Sequence, residues 1–234
     1  MSDAPEPLEV LVRGEMELAG RLPWASNATY LVELCHRDTR HAGVYKPKRG
    51  ERPLWDFPPG LGRREVAAYQ LSEALGWDLV PPTVWRDGPM GEGSVQWFVE
   101  ADVDQHYFTL HEDPGQHERL KAICCFDIIA NNTDRKSGHC LLAEDGVIHA
   151  IDNGLSFHAE FKLRTVIWDF AGEPIPDHLL ADVRAFVDGG VPAPLVALLD
   201  DAEQASLLAR ARSVADQGHF PVDRSGRRYP WPLV

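Results

Sequence analysis

Strand-like alternating or β-branched segments dominate the first hundred residues around one helical stretch, and helical spacing dominates the rest. Glu15 to Leu22 and Ala28 to Cys35 are alternating or β-branched and predict two strands, joined by the turn-prone Pro23-Trp24-Ala25-Ser26-Asn27. The polar turn Arg37-Asp38-Thr39-Arg40 leads into a third strand, His41 to Lys46. Lys48 to Arg63 is rich in proline and glycine and predicts an irregular loop carrying Trp55 and Phe57. Arg64 to Leu75 predicts a helix with Val66, Tyr69, Leu71 and Leu75 on its apolar face and Gly76 as terminator. Val80 to Trp85 and Ser94 to Glu100 predict two further strands, separated by Asp87-Gly88-Pro89.

The second half is helical in pattern. His117 to Ala130 offers Leu120, Ile123, Cys124, Ile128 and Ile129 to a core. A polar loop, Asn131 to Gly138, follows, and Cys140 to Leu142 with Val147 to Ile151 predicts a short strand pair around Glu144-Asp145-Gly146. Asp177 to Val187, Ala193 to Leu199 and Asp201 to Gln217 predict three more helices. The pattern changes near Ala101 to Pro114. The expectation is a single α+β domain over 1–234. It has an antiparallel β-rich N-lobe, about 10–101, with one long helix, and a mainly α C-lobe, about 102–234.

Composition removes several functions. An apolar fraction of 44% and a charged fraction of 25% are ordinary for a globular chain. No run approaches the roughly 20 consecutive apolar residues that span a bilayer, so no stable membrane insertion is expected. Met1 to Glu9 is acidic and lacks the basic start and apolar run of a secretory signal, which points to the cytoplasm. A formal net charge of -13 argues against general nucleic-acid binding and against electrostatic docking on anionic lipid. Cys35, Cys124, Cys125 and Cys140 form no C-x-x-C pair and no zinc-like spacing; Cys124 and Cys125 read as buried reduced thiols.

Candidate chemistry begins at Lys46, in a strand that Pro47 ends. An inward ammonium there needs an anionic partner. Glu65, at the start of the next helix, or nucleotide phosphates would supply it. Ser26 and Asn27, at the first hairpin tip, are small enough for backbone amides to approach phosphate oxygens, although any hairpin tip would look similar. The polar run from Asn131 to Arg135 lies between two apolar elements, where functional loops concentrate. Asp134 would orient an acceptor hydroxyl and accept its proton, while Arg135 would hold the loop or steady phosphate charge. A plain helix end and turn would use the same residue types.

Asp152 ends an apolar run ahead of Asn153-Gly154, where a hard cation with oxygen ligands would sit; Asp-Asn-Gly is also a good hairpin connector. His139 is spaced from Asp134 as a second metal ligand or phosphate contact would be, though imidazole suits Mg²⁺ less well than amide or carboxylate oxygen. Two acidic groups and a phosphate-binding lysine are the parts that phosphoryl transfer needs.

Four segments in order, Gly43 to Lys48, Ser94 to Glu100, Asp127-Ile128-Ile129 with Asn132 to Arg135, and Ala150 to Phe157, resemble the phosphatidylinositol 3-/4-kinase superfamily. They are most similar to its type II phosphatidylinositol 4-kinase branch, and the set also resembles a compact actinobacterial group of kinase-like proteins. The resemblance spans roughly Gly14 to Phe157. It implies a two-lobed protein-kinase-like fold with ATP and Mg²⁺, or Mn²⁺, as cofactors. It implies that Lys46 contacts ATP phosphates with Glu65 as its helix partner, and that Ser26 and Asn27 lie in the phosphate loop. Gln96, Phe98 and Val99 would belong to the hinge that meets adenine. Asp134 would be the catalytic aspartate and Asp152 the metal-holding aspartate of a shortened Asp-Asn-Gly motif.

Two departures shape the expected reaction. The family usually has Asn where this chain has His139, and the type II lipid enzymes carry a cysteine-rich, lipid-modified insert where Arg52 to Arg64 has no cysteine. The expected activity is therefore transfer of the γ-phosphate to a hydroxyl of a soluble metabolite or a protein, in preference to a lipid. Lys162 and Arg164 would suit an anionic acceptor, while Trp168 and Phe170 read as packing. Two other readings stand beside it: a nucleotide-binding regulator with little catalysis, motivated by His139, and AMP transfer from ATP bound in reverse. Oligomeric state is left open.

Overall fold

The computed structural model describes residues 6–22 and 27–234. Helix α1 (Pro7–Arg13) precedes strands β1 (Glu15–Arg21), β2 (Tyr30–His36) and β3 (Thr39–Pro47). Helix α2 (Leu61–Leu75) follows, then β4 (Thr83–Gly88) and β5 (Gly91–Trp97). Beyond them come α3 (Tyr107–Leu110), α4 (His117–Ala130), the hairpin β6 (Cys140–Leu142) and β7 (Ile148–Ala150), then α5 (Asp177–Gly189), α6 (Ala193–Val196) and α7 (Asp201–Gln217). No helix among the described residues is long and apolar enough to cross a membrane.

The first five strands form one antiparallel sheet in the order β1-β2-β3-β5-β4. Tyr45 lies opposite Tyr30 and Val95, and Lys46 lies opposite Ser94. Side chains alternate across a strand, so Tyr45 and Lys46 face opposite sides. Tyr45, Val32, Leu34 and Val95 pack with Val10 and Leu11 of α1 in a small core of their own. Lys46 is left facing the other side, toward α2.

Helix α2 packs on the sheet and on the helical half together. It touches β4 and β5, but its Ala67, Ala68, Tyr69, Leu71 and Leu75 belong to the large core built from α4, α5 and α7, with Ile123, Phe126, Val183 and Leu207. Burying each such leucine-sized side chain contributes about 1.5–3 kcal/mol, so the helix is rooted in the helical half.

Several boundaries differ from the sequence reading. Helix α2 starts at Leu61, within the stretch expected to be irregular, because Gly60 takes φ 100° and the Glu51 carboxylate accepts the N–H groups of Gly60 and Gly62 at 3.0 and 2.8 Å. A cap delivered from so far upstream leaves no local periodicity. The β4–β5 hairpin is tighter than expected: Asp87 and Gly88 belong to β4, and Phe98 to Glu100 lie beyond β5. The helix expected over Ala193 to Leu199 stops at Val196, and α1 and α3 were not foreseen because each is too short to show a period.

Candidate active site

Lys46, Glu65 and Asp152 come from β3, the N-terminal part of α2 and the turn after β7, and they meet at one point. Lys46 Nζ pairs with Glu65 Oε1 and lies 2.7 Å from Asp152 Oδ1. The other Glu65 oxygen accepts the backbone N–H of Asn153 at 2.9 Å. Burial alone would lower the Lys46 pKa, but the carboxylates of Asp152 and Glu65 more than offset it, and the ammonium sits above its ordinary value. The Lys46 charge in turn holds Asp152 far below the usual carboxylate range. Burial raises Glu65, opposed chiefly by Lys46. Gly154 is what lets α2 come this close, since a Cβ there would stand 3.2 Å from Glu65 Oε1 and 3.3 Å from the Leu61 carbonyl oxygen.

Asp152 itself adopts φ 56°, a left-handed conformation that costs a non-glycine residue of order 1–3 kcal/mol and that clusters at functional sites. Neighbouring contacts hold it there. Asn153 donates to the Ala150 carbonyl at 3.0 Å and accepts from Arg135 Nη2 at 2.5 Å.

The loop after α4 is built as tightly. Asn131, at φ 55°, closes α4, and the Asp134 N–H bonds the Asn132 side-chain oxygen at 2.9 Å. Arg135 then turns into the protein. Its guanidinium is completely buried against Asp127, at 2.9–3.1 Å, and donates to the Ile151 carbonyl at 2.7 Å. Of the two roles considered for Arg135, steadying phosphate charge is corrected, because the side chain faces the helical core and not the cleft; its contacts hold the loop. Residues 135 and 165 form a parallel bridge, and both side chains reach Asp127. Asp134, one position before Arg135, lines the cleft instead. Burial raises the Asp134 pKa, opposed by Lys136, whose Nζ lies 3.0 Å from Asp134 Oδ2.

A cavity of about 750 Å³ runs between the sheet and the helical half. Lys46, Glu65, Asp134, His139 and Asp152 line it, as do Asn27, Gln96, Phe98 and Val99. Gln96 spends its side-chain amide on Thr83 Oγ1 at 2.9 Å, and Asn27 Oδ1 accepts the Arg52 N–H at 3.0 Å. Ser26 lies outside the described residues. Lys162 donates to the Asp56 carbonyl at 2.5 Å, whereas Arg164 is exposed. Pattern alone passed over Glu51, Lys136 and Asn153. The Asp-x-Lys spacing from 134 to 136 was the available signal for Lys136; Glu51 had none nearby.

Among the described residues no three His, Cys, Asp or Glu side chains converge into an all-protein metal cage. Mg²⁺ is ordinarily held by one or two carboxylates plus substrate phosphates. An ionised Asp152, half exposed in the cleft, fits that donor set. His139 Nε2 lies 3.4 Å from Asp152 Oδ2, and burial lowers the imidazole to about 4, opposed by Asp152, so the ring is neutral at pH 7.

A β-rich lobe and a helical lobe enclosing such a cleft define a two-lobed kinase-like fold. The solved structure of hydra Fam20 with sugar is similar, with a TM-score of 0.54 and 15% identity over 89% of this chain and 86% of that one. So is that of the Helicobacter pylori proinflammatory kinase CtkA, with a TM-score of 0.53 and 11% identity over 88% and 93%. No family model matches the sequence. The chain is 39% identical over 260 residues to protein Rv2133c of Mycobacterium tuberculosis (strain ATCC 25618 / H37Rv), covering 95% of this chain and 94% of that protein, and it belongs to the same family.

Proposed function

We propose that this chain is an ATP-dependent kinase, close to type II phosphatidylinositol 4-kinase-like proteins, that moves the γ-phosphate to a hydroxyl of a soluble metabolite or protein. The observation that carries the reading is the meeting of Lys46, Glu65 and Asp152 on one wall of a cavity that Asp134 also lines. Lys46 would hold ATP phosphates and Glu65 would fix Lys46. The backbone of Phe98 and Val99, past the end of β5, would take adenine against the hinge, with the N-lobe over about 10–101 and the C-lobe over about 102–234. Asp134, its pKa raised by burial, would take the acceptor proton. Asp152 would hold Mg²⁺ or Mn²⁺, which neutralises charge on the phosphate oxygens when bound.

Acceptor identity is the least constrained part. Arg164, two residues from Lys162, is exposed, whereas Lys162 is engaged by Asp56. We therefore assign an anionic group on the acceptor to Arg164, and Arg164→Ala is expected to raise the acceptor KM and leave the ATP KM in place.

The test is labelled ATP with Mg²⁺ or Mn²⁺ and cell extract, followed by identification of the labelled species. Asp134→Ala and Asp152→Ala should each abolish transfer; intact turnover in either folded variant refutes the reading. His139 against Asp152 favours one alternative, a chain that binds ATP without transferring phosphate. Calorimetric ATP binding with no label leaving ATP would select it, and a whole AMP gained by the target would select nucleotidyl transfer.

A further inference from the structure

Arg64 and Glu203 are 139 positions apart and form a buried ion pair between the first turn of α2 and the first turn of α7, each side chain less than a tenth exposed. Arg64 Nε also donates to the Ser156 carbonyl at 3.0 Å, in the segment just after Asp152-Asn153-Gly154. The Phe57 ring lies 5.2 Å under the guanidinium. Glu203 is fixed in turn, because its Oε2 accepts the Asp200 N–H at 3.0 Å in the capping box of α7. Burial lowers the Arg64 pKa, with the Glu203 charge opposing it.

A buried ion pair is a costly way to hold two helices together, and well-packed apolar residues often do so at least as well. What apolar contacts do poorly is fix the rotation of a helix about its own axis, whereas a planar guanidinium fork is directional. Rotation matters here because the next residue is Glu65. A carboxylate lies roughly 5–6 Å from the helix axis, so a turn of about 20° moves it by about 2 Å. That displacement would break both the Lys46 pair and the 2.9 Å bond from Asn153.

We infer that the Arg64–Glu203 pair is a positioning device that locks the rotation of α2 to the helical half, so that Glu65 presents its carboxylate to Lys46 without help from a partner or activating modification. Neither Arg64 nor Glu203 lines the cavity; they act through Glu65. The catalytic consequence rests on the kinase reading, but the locking of α2 does not.

The test uses the full chain without ligand, comparing wild type with Arg64→Met/Glu203→Leu, an apolar replacement expected to fold, and with Glu203→Gln, which keeps shape and the α7 cap while losing charge. Amide hydrogen exchange should rise about tenfold in segments 61–68 and 152–154, while segment 30–36 stays at the wild-type rate. A merely structural role would raise exchange everywhere. Asp200→Ala, which removes the cap alone, should leave 152–154 unchanged. In the labelled-ATP assay kcat should fall about a hundredfold with a much smaller change in the ATP KM. Wild-type exchange at 61–68 and 152–154 in both Glu203 variants overturns the inference. A wild-type chain that transfers no phosphate sinks the kinase reading instead, and the exchange data still decide the lock.

Discussion

The backbone N–H of Asn153 donates to Oε2 of Glu65 across 2.9 Å, joining residues 88 positions apart. With Oε1 on Lys46, one buried carboxylate orients both that lysine and the turn that carries Asp152. Glu65→Gln keeps the acceptor for Asn153 and removes the charge that holds Lys46. We expect a folded chain whose γ-phosphate transfer is about a hundredfold slower, the scale of a 1 Å misplacement at a reacting centre. An unchanged kcat would contradict this.

Stability and phosphate transfer are expected to separate at Lys46. Lys46→Met strands the buried Glu65 carboxylate, and removing one partner of a buried pair costs about 3–5 kcal/mol. The lower end is expected here, since Lys46 keeps a quarter of its side chain exposed. Lys46→Met/Glu65→Met should recover most of that loss in urea unfolding and none of the phosphate transfer. Recovery of both would mean that the lysine serves the fold alone.

What was legible in the sequence followed the reach of each signal. The strand ending at Pro47, the helix ending at Gly76 and the turn at Asp152-Asn153-Gly154 are local patterns, and the structure has each of them. The start of α2 depends on Glu51 from outside the helix, so periodicity put it three residues late. The side on which α2 is rooted depends on Ile123, Phe126, Val183 and Leu207, which only tertiary packing brings to it. Arg135 sat in a polar run that looked solvent-facing. Its burial is set by Asp127 one helical turn before the loop, a partner that an apolar helix pattern hides.

Arg135 gives a second stability test. Arg135→Met would leave Asp127, with no exposed surface, as an unpaired charge and remove the donor to Asn153 Oδ1. A loss of about 3–5 kcal/mol is expected in urea unfolding, with Asp127→Leu/Arg135→Met regaining part of it. A stable but inactive Arg135→Met would return the residue to the cleft chemistry.

The cation proposed at Asp152 gives a test at His139. Its neutral imidazole stands 3.4 Å from Asp152, where an oxygen donor would suit Mg²⁺ better. His139→Asn is expected to lower the Mg²⁺ concentration for half-maximal transfer by about tenfold, the scale on which groups around a site tune affinity. A Mg²⁺ titration that superimposes on wild type would show that His139 has no part in cation binding.

Alkaline pH tests the core. Burial within α4 pushes the Cys125 thiol from its ordinary 9.0 up to about 12. Between those values the unfolded chain has lost the proton and the folded chain keeps it, so the folded state binds more protons and loses stability as pH rises. Below pH 9 the contribution is fully present and flat. The expected slope from this thiol is about 1 kcal/mol per pH unit, with Cys124 and Cys140, also raised by burial, adding in the same sense. Cys125→Ala should begin less stable, because of the cavity it leaves, yet fall more shallowly between pH 9 and 12 in urea unfolding. Parallel curves for the two proteins would mean that the thiol titrates alike in the folded and unfolded chain, and that α4 does not exclude water as its packing requires.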